Sequence, residues 1–437
     1  MAAACTGENG RMQPPVGPAA GDPAPPTLAA LAKVAGDVSA FYEQHPYPPP
    51  VASLDPRSAG RAGPDRRRTD FHLLWPARSF RDDFNILIAG CGTAQAAKYA
   101  QRWPRARVTG IDVSAASIRH SAVLKRQHRL ENLTLRELSV ERTIELGQRF
   151  DLIVCTGVLH HLPNPDAGLS ALREALEPDG AVHLMVYAPY GRAGVYLVQD
   201  YARRLGIGTS PREIRDLVES LFGLPQDHPL VPLLRNAPDF RNDAALADAL
   251  LHPMDRPYSV PQLLDFLHRG GLCFSRWLRQ AAYLPDCGTL ASSPHAARLK
   301  KLPAEEQYAA AELFRGTMVR HSLVARRDDA PEEAQPIRFD GDDWFGYVPV
   351  RLPNTVSVQQ RLPLGAACVL INQTHTYTDL ILPLDAAGKD LFDAIDGSRS
   401  IGDIANGSHA RACARTLFPK LWFYDQIVFD ASSRRLD

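Results

Sequence analysis

Residues 86–93 of the chain read Ile-Leu-Ile-Ala-Gly-Cys-Gly-Thr. The apolar run is typical of a strand that is buried on both faces, as in a parallel sheet. Gly90 and Gly92 allow the backbone to turn tightly and to approach a ligand without Cβ atoms in the way. Residues 94–100 then read as the opening of a helix, whose N-terminus presents free N–H groups. The pattern is that of a nucleotide- or nucleoside-binding α/β domain. Taken alone, it fits a strand-to-helix loop without a ligand equally well.

Composition narrows the class of protein. The chain has 437 residues, enough for two or three domains, and Lys+Arg and Asp+Glu both number 49. A zero net charge provides no field for a polyanion, so we expect no nucleic-acid partner. The seven cysteines form no C-x-x-C pair, and we therefore expect neither a metal site nor disulfides. We find no secretory signal and no apolar run long enough for a membrane span, and expect a cytoplasmic protein with no membrane partner.

From residue 85 the chain alternates short apolar strands with helical segments. This alternation predicts a Rossmann-like, doubly wound α/β fold with a mostly parallel sheet. Two later segments, 273–278 and 321–325, bring the predicted sheet to seven strands. The first five predicted strands are 86–89, 107–111, 133–138, 150–155 and 181–187.

The chain divides into segments of different composition. Residues 1–28 are rich in Ala, Pro and Gly, and we expect them to be disordered. Residues 337–437 carry strand and helix signals of their own and are interpreted as a small α+β accessory domain. The other predicted segments are an N-terminal helix with an aromatic segment (29–82), the ligand-binding core (83–190), a helical cap insertion (191–250), the end of the main domain (251–326) and a linker (327–336).

An acidic residue, Asp112, follows the second predicted strand, twenty residues after Gly92. A carboxylate at this place can accept hydrogen bonds from both hydroxyls of a ribose. It can also serve only as the N-terminal charge of the next helix. A dinucleotide-binding fold normally has a third glycine where the pyrophosphate approaches the helix, and here Ala94 occupies that place. A ligand without phosphates is therefore favoured, which means S-adenosylmethionine rather than NAD.

Residues 84–190 resemble the class I S-adenosylmethionine-dependent methyltransferases. The resemblance lies in four stretches: 86–93, 108–114, 150–163 and 176–187. It implies methyl transfer with S-adenosylmethionine as cosubstrate. It also implies that the glycine turn holds the methionine and ribose, that Asp112 holds the ribose, that Ile111 and Val113 flank the adenine, and that Thr156 and Gly157 lie near the sulfonium. The implied cofactor-binding residues are Gly90, Cys91, Gly92, Ile111, Asp112, Val113, Thr156 and Gly157.

The sequence departs from the family pattern at three places. Ile88 stands where the family often has an acid, Ala94 replaces the third glycine, and residues 139–140 lack an aspartate that often contacts the adenine amine. These departures leave open a protein that binds the cofactor without turnover.

A methyl acceptor that carries a proton needs a base. His160 and His161 follow the fourth predicted strand, and histidine titrates near neutral pH, so they are the candidate catalytic residues. The alternative is that one of the two rings only caps the loop. We expect a small-molecule acceptor, and Arg256 hints that this acceptor is anionic. The candidate acceptor-pocket residues are Tyr42, Tyr47, Tyr187, Tyr190, His252, Asp255, Arg256 and Tyr258.

Residues 41–50 concentrate aromatic side chains and prolines, either as a lid over the pocket or as a packing strap across the domain. Residues 382–404, followed by the strand-like stretch 421–429, are similar to small winged-helix peptide-chaperone modules. That resemblance implies a peptide partner for the accessory domain, and it leaves open a protein or peptide acceptor that this domain recruits. A structural or dimerisation role remains an equal alternative.

Overall fold

The computed structural model describes residues 28–55, 64–236, 243–331 and 337–432. Its centre is a seven-stranded sheet in the order β3-β2-β1-β4-β5-β7-β6, in which only β7 runs antiparallel to its neighbours. The predicted fold class is confirmed. The strands are β1 (Asn85–Ala89), β2 (Arg107–Asp112), β3 (Leu133–Glu137), β4 (Phe150–Thr156), β5 (Leu176–Tyr187), β6 (Leu272–Trp277) and β7 (Arg320–Arg327).

Helices cover both faces of the sheet, form the cap, and contribute to the C-terminal unit. None of the described helices combines the length and apolar character that a bilayer span requires. The α-helices are α1 (Leu28–Gln44), α2 (Pro64–Leu74), α3 (Gln95–Arg102), α4 (Ala115–Gln127), α5 (Pro165–Ala175), α6 (Ala193–Leu205), α7 (Pro211–Leu221), α8 (Val231–Asn236), α9 (Asp243–Leu251), α10 (Val260–Arg269), α11 (Gly288–Ser292), α12 (Ala296–Leu299), α13 (Ala304–Arg315), α14 (Ala386–Asp393), α15 (Ile401–Ile404) and α16 (Ser408–Phe423). Short 3-10 helices are Val140–Leu146, Leu159–His161, Gln280–Ala282 and Asp343–Gly346.

Strand β1 shows why its sequence is apolar throughout. Ile86 and Ile88 pack into the hydrophobic cluster on one face of the sheet, and Leu87 and Ala89 pack into the cluster on the other face. All four side chains are fully buried. Because alternate residues of a strand face opposite sides, only a continuous apolar run satisfies both clusters.

The fifth strand differs from its predicted bounds. It begins at Leu176 rather than at residue 181, because Leu176 already pairs with Phe150 of β4. The register then shifts, and pairing resumes between Leu152 and Ala181. The intervening residues include Pro178 and Gly180, which suggest a turn from sequence alone but form an irregularity within the strand pair.

The predicted cap is helical and has its own small core. Helices α6 to α9 contribute Val195, Leu217, Leu246 and Leu250 to one buried cluster. Helix α1 packs beside it through Phe41, which shares a cluster with Ile214 and Ala247. Residues 1–27 of the segment expected to be disordered, and residues 332–336 of the expected linker, lie outside the described residues.

The C-terminal unit contains two small antiparallel sheets, β11-β10-β9 and β12-β8. Helix α16 continues to Phe423, so the closing strand begins at Ile427 and not at residue 421 as predicted. The strands are β8 (Val348–Arg351), β9 (Thr355–Val358), β10 (Cys368–Asn372), β11 (Ile381–Leu384) and β12 (Ile427–Asp430). The likeness to a peptide-chaperone module stays a prediction.

Charge pairs attach this unit to the main domain, and the pair between Arg276 and Asp425 is buried. Arg276 of β6 donates to Asp425 Oδ1 at 3.3 Å, and the backbone N–H of Ala281 donates to Asp425 Oδ2 at 3.1 Å. Arg315 pairs with Asp379 at 3.2 Å. Removing one partner of such a pair leaves an uncompensated buried charge, so these contacts hold the two units in one arrangement.

Candidate functional site

A cavity of about 580 Å³ lies at the carboxyl edge of the parallel strands. This edge is where ligands bind in open α/β sheets. The cavity wall combines residues of the glycine turn, the ends of β2, β4 and β5, helix α1 and the cap. The predicted residues that line it are Tyr42, Tyr47, Gly90, Cys91, Gly92, Asp112, Val113, Thr156, Gly157, His161 and Tyr187.

The glycine turn needs both of its glycines. Gly90 and Gly92 have φ values of 69° and 52°, in the left-handed region that favours glycine. A Cβ atom on Gly92 would lie 2.8 Å from the carbonyl oxygen of Tyr47 and 2.9 Å from Cδ of Pro48. The turn and the N-terminal segment therefore approach each other more closely than any other residue would allow.

Asp112 is positioned by the same turn. Its Oδ2 accepts the Gly92 N–H at 2.8 Å, and its Oδ1 accepts the Ser114 N–H at 2.9 Å. Burial raises the pKa of Asp112, and these backbone hydrogen bonds oppose that shift because they favour the carboxylate. A carboxylate has about four acceptor sites, so the two oxygens retain capacity toward the cavity. The cradle suits a ribose with its two hydroxyls.

The N-terminal segment lies directly over the turn. Thr93 donates its hydroxyl to the carbonyl oxygen of Pro48 at 2.7 Å. Glu43 accepts the Ala116 N–H at 2.8 Å and the Ser114 hydroxyl at 3.2 Å, at the N-terminus of α4. Since Tyr42 and Tyr47 also line the cavity, the aromatic segment both packs across the domain and contributes to the cavity wall.

His161 presents one ring nitrogen as a hydrogen-bond acceptor. Its Nδ1 lies 2.6 Å from the Met254 carbonyl oxygen, which can only accept, so Nδ1 carries the proton and Nε2 does not. Burial lowers the pKa of His161 to about 4, and the nearby Arg192 acts in the same direction. The imidazole is therefore neutral at pH 7, with a lone pair on Nε2.

His160 has a different environment. Its ring is packed between His161, at 4.2 Å between ring centroids, and Tyr187, at 4.1 Å. It is fully buried and does not line the cavity, and both ring nitrogens lack a hydrogen-bond partner among the residues that the structure describes. Of the two candidate histidines, only His161 contributes to the wall.

The other predicted residues surround the cavity without lining it. Asp255 pairs at 3.0 Å with Arg192, which itself lines the cavity and lies over the Tyr187 ring, 3.6 Å from its centroid. His252 stacks against His161 at 3.9 Å and accepts the Met254 N–H through Nδ1. Four further residues are separated from the cavity wall: Ile111 in the core beneath it, Tyr258 stacked on Phe266, and Tyr190 and Arg256 exposed.

Several wall residues were not predicted. Gln95 donates to the Thr156 hydroxyl at 2.9 Å, and it shares one face of α3 with Lys98, Tyr99 and Arg102. Their spacing of i, i+3, i+4 and i+7 next to the glycine turn is a signal that identifies them in sequence. Asp248 comes from the cap and accepts the Tyr42 hydroxyl at 3.0 Å. Nothing in the local sequence of α9 indicates that contact.

Known proteins share this domain and this fold. Residues 87–182 match the family model described as a methyltransferase domain. An uncharacterized protein from Synechococcus sp. is 30% identical over 313 residues, which are 68% of this chain and 72% of that protein. The trans-aconitate 2-methyltransferase of Deinococcus radiodurans is 33% identical over 134 residues, 30% of this chain and 47% of that enzyme. This chain therefore matches less than half of the length of that enzyme.

Among solved structures, PKMT2 from Rickettsia typhi in complex with AdoHcy superimposes with a TM-score of 0.61 at 15% identity. The superposition covers 88% of this chain and 77% of PKMT2, and it shows a shared fold. The domain match, the sheet topology and the cavity at its carboxyl edge agree with the sequence motifs. The chain belongs to the class I S-adenosylmethionine-dependent methyltransferases, and S-adenosylmethionine is its cosubstrate.

Proposed function

We propose that this protein methylates a small molecule held in the cavity of about 580 Å³, and that His161 removes the proton from the methylated atom. One observation carries the proposal: a single cavity is lined both by the glycine turn with Asp112 and by His161. A cofactor cradle and a neutral base thus face the same enclosed space, as methyl transfer to a protonated oxygen or nitrogen requires.

The cofactor end is assigned to the glycine turn and its neighbours. Asp112 would accept the ribose hydroxyls, and Val113, Leu138 and Val140 supply an apolar surface for the adenine. Thr156 and Gly157 border the reacting centre. S-adenosylmethionine supplies a methyl group that is already activated by its positive sulfur, so the chain has only to align, desolvate and deprotonate the acceptor.

The proton has a defined destination. His161 Nε2 accepts it from the acceptor atom as the new bond to the methyl carbon forms and the carbon–sulfur bond breaks. The products of this step are the methylated acceptor, S-adenosylhomocysteine and the imidazolium form of His161. The Met254 carbonyl fixes the ring at Nδ1, and Asp248 lies close enough that an Asp248 oxygen and ring nitrogens of His161 and His252 fall within 4.8 Å of one another. A carboxylate at this distance stabilises the imidazolium.

Water is kept from the reacting atoms by the cap and the N-terminal segment. Tyr42 and Tyr47 of the N-terminal segment and Leu233 and Ala249 of the cap all line the cavity. Exclusion of water strengthens the electrostatic interactions inside and prevents loss of the methyl group to solvent.

Calorimetry with S-adenosylmethionine and S-adenosylhomocysteine tests the proposal first. We expect saturable binding of both to the full chain, followed by release of S-adenosylhomocysteine when a panel of small hydroxyl and amine compounds is added to labelled S-adenosylmethionine. If the folded protein binds neither ligand, the proposed methyltransferase activity is contradicted. Binding of both with no turnover on any compound favours the alternative of a non-catalytic cofactor-binding protein.

A further inference from the structure

Four cationic side chains line the cavity: Lys98, Arg102, Arg192 and Arg320. Lys98 and Arg102 line it from one face of α3, and Arg320, the first residue of β7, lines it from the sheet. The wall also contains two carboxylates: Asp112 accepts the Gly92 N–H, and Asp248 accepts the Tyr42 hydroxyl. Four cations and two carboxylates thus face this cavity.

Two of these cations have no ion-pair partner among the residues that the structure describes. Arg102 shares Asp70 with Arg66, at 3.5 and 3.2 Å, and Arg192 pairs with Asp255 at 3.0 Å. For Lys98 and Arg320, by contrast, no side-chain hydrogen bond or ion pair is found within the described ranges. Arg279 lies near Arg320: burial lowers the pKa of Arg279, the Arg320 charge acts in the same direction, and Asp425 opposes the shift. Unpaired cations in the wall of a cavity are typical of a site that an anion completes.

The position of Arg320 separates it from the cofactor cradle. Asp112 ends β2 and Arg320 begins β7 opposite Tyr187, four strand positions away in the sheet. At about 4.8 Å per strand, that separation is roughly 19 Å. Met185 and Thr156 line the floor between them, where the reacting centre is assigned. Arg320 thus lies on the far side of the reacting centre from the ribose cradle, whereas Lys98 lies on α3, the helix that follows the glycine turn.

We propose, on the basis of the proposed methyl transfer, that the acceptor is an anionic small molecule whose carboxylate or phosphate groups are bound by Lys98 and Arg320. Arginine binds either group through two parallel hydrogen bonds, and lysine adds a point charge. The sequence pointed instead to Arg256, which is exposed and outside the cavity. The tertiary structure moves the anion site from that loop to α3 and β7.

The test uses the full chain saturated with S-adenosylhomocysteine and titrated with citrate, with trimethyl citrate as a neutral control and inorganic phosphate as a second anion. Calorimetry measures affinity, and the Nε–Hε signals of the labelled arginines report the residue involved. We expect saturable binding of at least one anion, a shift of the Arg320 signal, and no binding of the ester. Lys98→Gln combined with Arg320→Gln should weaken anion binding at least tenfold, whereas Arg256→Gln should not change it.

Binding of neither anion, or equal binding to the double variant, overturns the proposal. A second comparison tests whether the two cations bind the cofactor instead of the acceptor. It measures the affinity of the double variant for S-adenosylhomocysteine and for 5′-methylthioadenosine, which lacks the amino-acid carboxylate. If the double variant loses affinity only for S-adenosylhomocysteine, the cations bind the cofactor, and the anionic acceptor is contradicted. If the unaltered chain binds no S-adenosylhomocysteine, the proposed methyl transfer fails instead, and the anion titration of the free protein still decides the charged site.

Discussion

The Tyr42 hydroxyl donates a hydrogen bond of 3.0 Å to Asp248 Oδ1 and so joins two residues that are 206 positions apart. Tyr42 belongs to α1 and Asp248 to α9 of the cap, and both line the cavity. The Phe41 and Tyr42 rings also pack on His252, at 5.0 and 5.4 Å between centroids. The N-terminal helix and the cap insertion therefore close one side of the site together.

This contact should be measurable as a coupling energy. Tyr42→Phe removes only the hydroxyl, and because its partner is a carboxylate we expect a loss of about 1.5–3 kcal/mol in the free energy of unfolding. A double-mutant cycle with Asp248→Asn, followed by urea denaturation, should give a coupling above about 0.5 kcal/mol. Tyr190→Phe, at an exposed tyrosine, is the matched control. Additive single effects would contradict the predicted interaction.

Alanine substitutions at Gly92 and Gly147 distinguish the cost of backbone strain from the cost of a steric clash. Both have positive φ values, 52° and 65°, but a Cβ atom on Gly147 meets nothing within 4 Å. Gly147→Ala should therefore lower the free energy of unfolding only by the cost of the left-handed conformation, about 1 kcal/mol. Gly92→Ala adds the clash with Tyr47 and Pro48 and should cost about 1–3 kcal/mol more. We also expect it to weaken binding of S-adenosylhomocysteine. Equal losses for the two variants in thermal denaturation would exclude the close approach.

Asp112→Ala should weaken binding of S-adenosylhomocysteine at least tenfold. The expected loss follows from a charged hydrogen bond, which contributes about 1.5–3 kcal/mol. Glu137→Ala is the control, because Glu137 pairs with Asp112 in the neighbouring strand but is not part of the cavity wall. Calorimetry on both variants, with thermal melts to verify folding, decides the role. Unchanged affinity would remove Asp112 from the cofactor site.

His161→Asn should lower kcat by about 10²- to 10⁴-fold, as expected for loss of a general base. Affinity for S-adenosylhomocysteine should stay the same, since the ring lies beyond the cradle. His120→Asn is the control, because that ring contacts the Val51 carbonyl at 3.0 Å and does not line the cavity. Release of S-adenosylhomocysteine gives the rate for any acceptor that is turned over. A pKa of about 4 also places the acid limb of kcat near pH 4 rather than 6.5. An unchanged kcat would contradict the role of His161 as general base and indicate that its ring is structural.

Stability should fall as the solution becomes acidic. Burial lowers the pKa of His161 to about 4 and that of His252 to about 2, and it lowers the pKa of His160 well below its usual range. The unfolded chain binds protons at these three rings near pH 6.5, whereas the folded chain does not. The contribution of these three rings to the free energy of unfolding is therefore complete above pH 6.5. It decreases below that pH by about 1.4 kcal/mol per pH unit for each histidine.

Urea denaturation at pH 7.5 and 5.5 measures this slope. In the His161→Asn variant, the change in the free energy of unfolding between the two pH values should be smaller by the contribution of about one proton. A stability that does not change between the two pH values would show that the histidine cluster is protonated in the folded protein.

The sequence by itself determined the parts that depend on neighbouring residues and neighbouring strands. The apolar run of β1 must be buried on both faces, and Gly90 and Gly92 end it in a turn that only glycine adopts. Strands β1 and β2 pair in register, with Ala89 opposite Ile111, so an acid at the end of β2 necessarily reaches the turn. Short-range periodicity and spacing therefore predicted the fold class, and the resemblance of these stretches to a family predicted the cofactor. The residues that hold the cofactor stay a prediction.

Only the tertiary structure decided which side chains face the cavity. His160 and His161 are adjacent in sequence, and the Met254 carbonyl, 93 residues further on, fixes the ring that lines the wall. Asp248 and Arg320 enter from the cap and the last strand of the sheet, whereas Arg256 is exposed. A residue's orientation depends on what packs against it from distant parts of the chain. Local sequence does not identify those partners, and for this reason the proposed acceptor site depends on the folded chain.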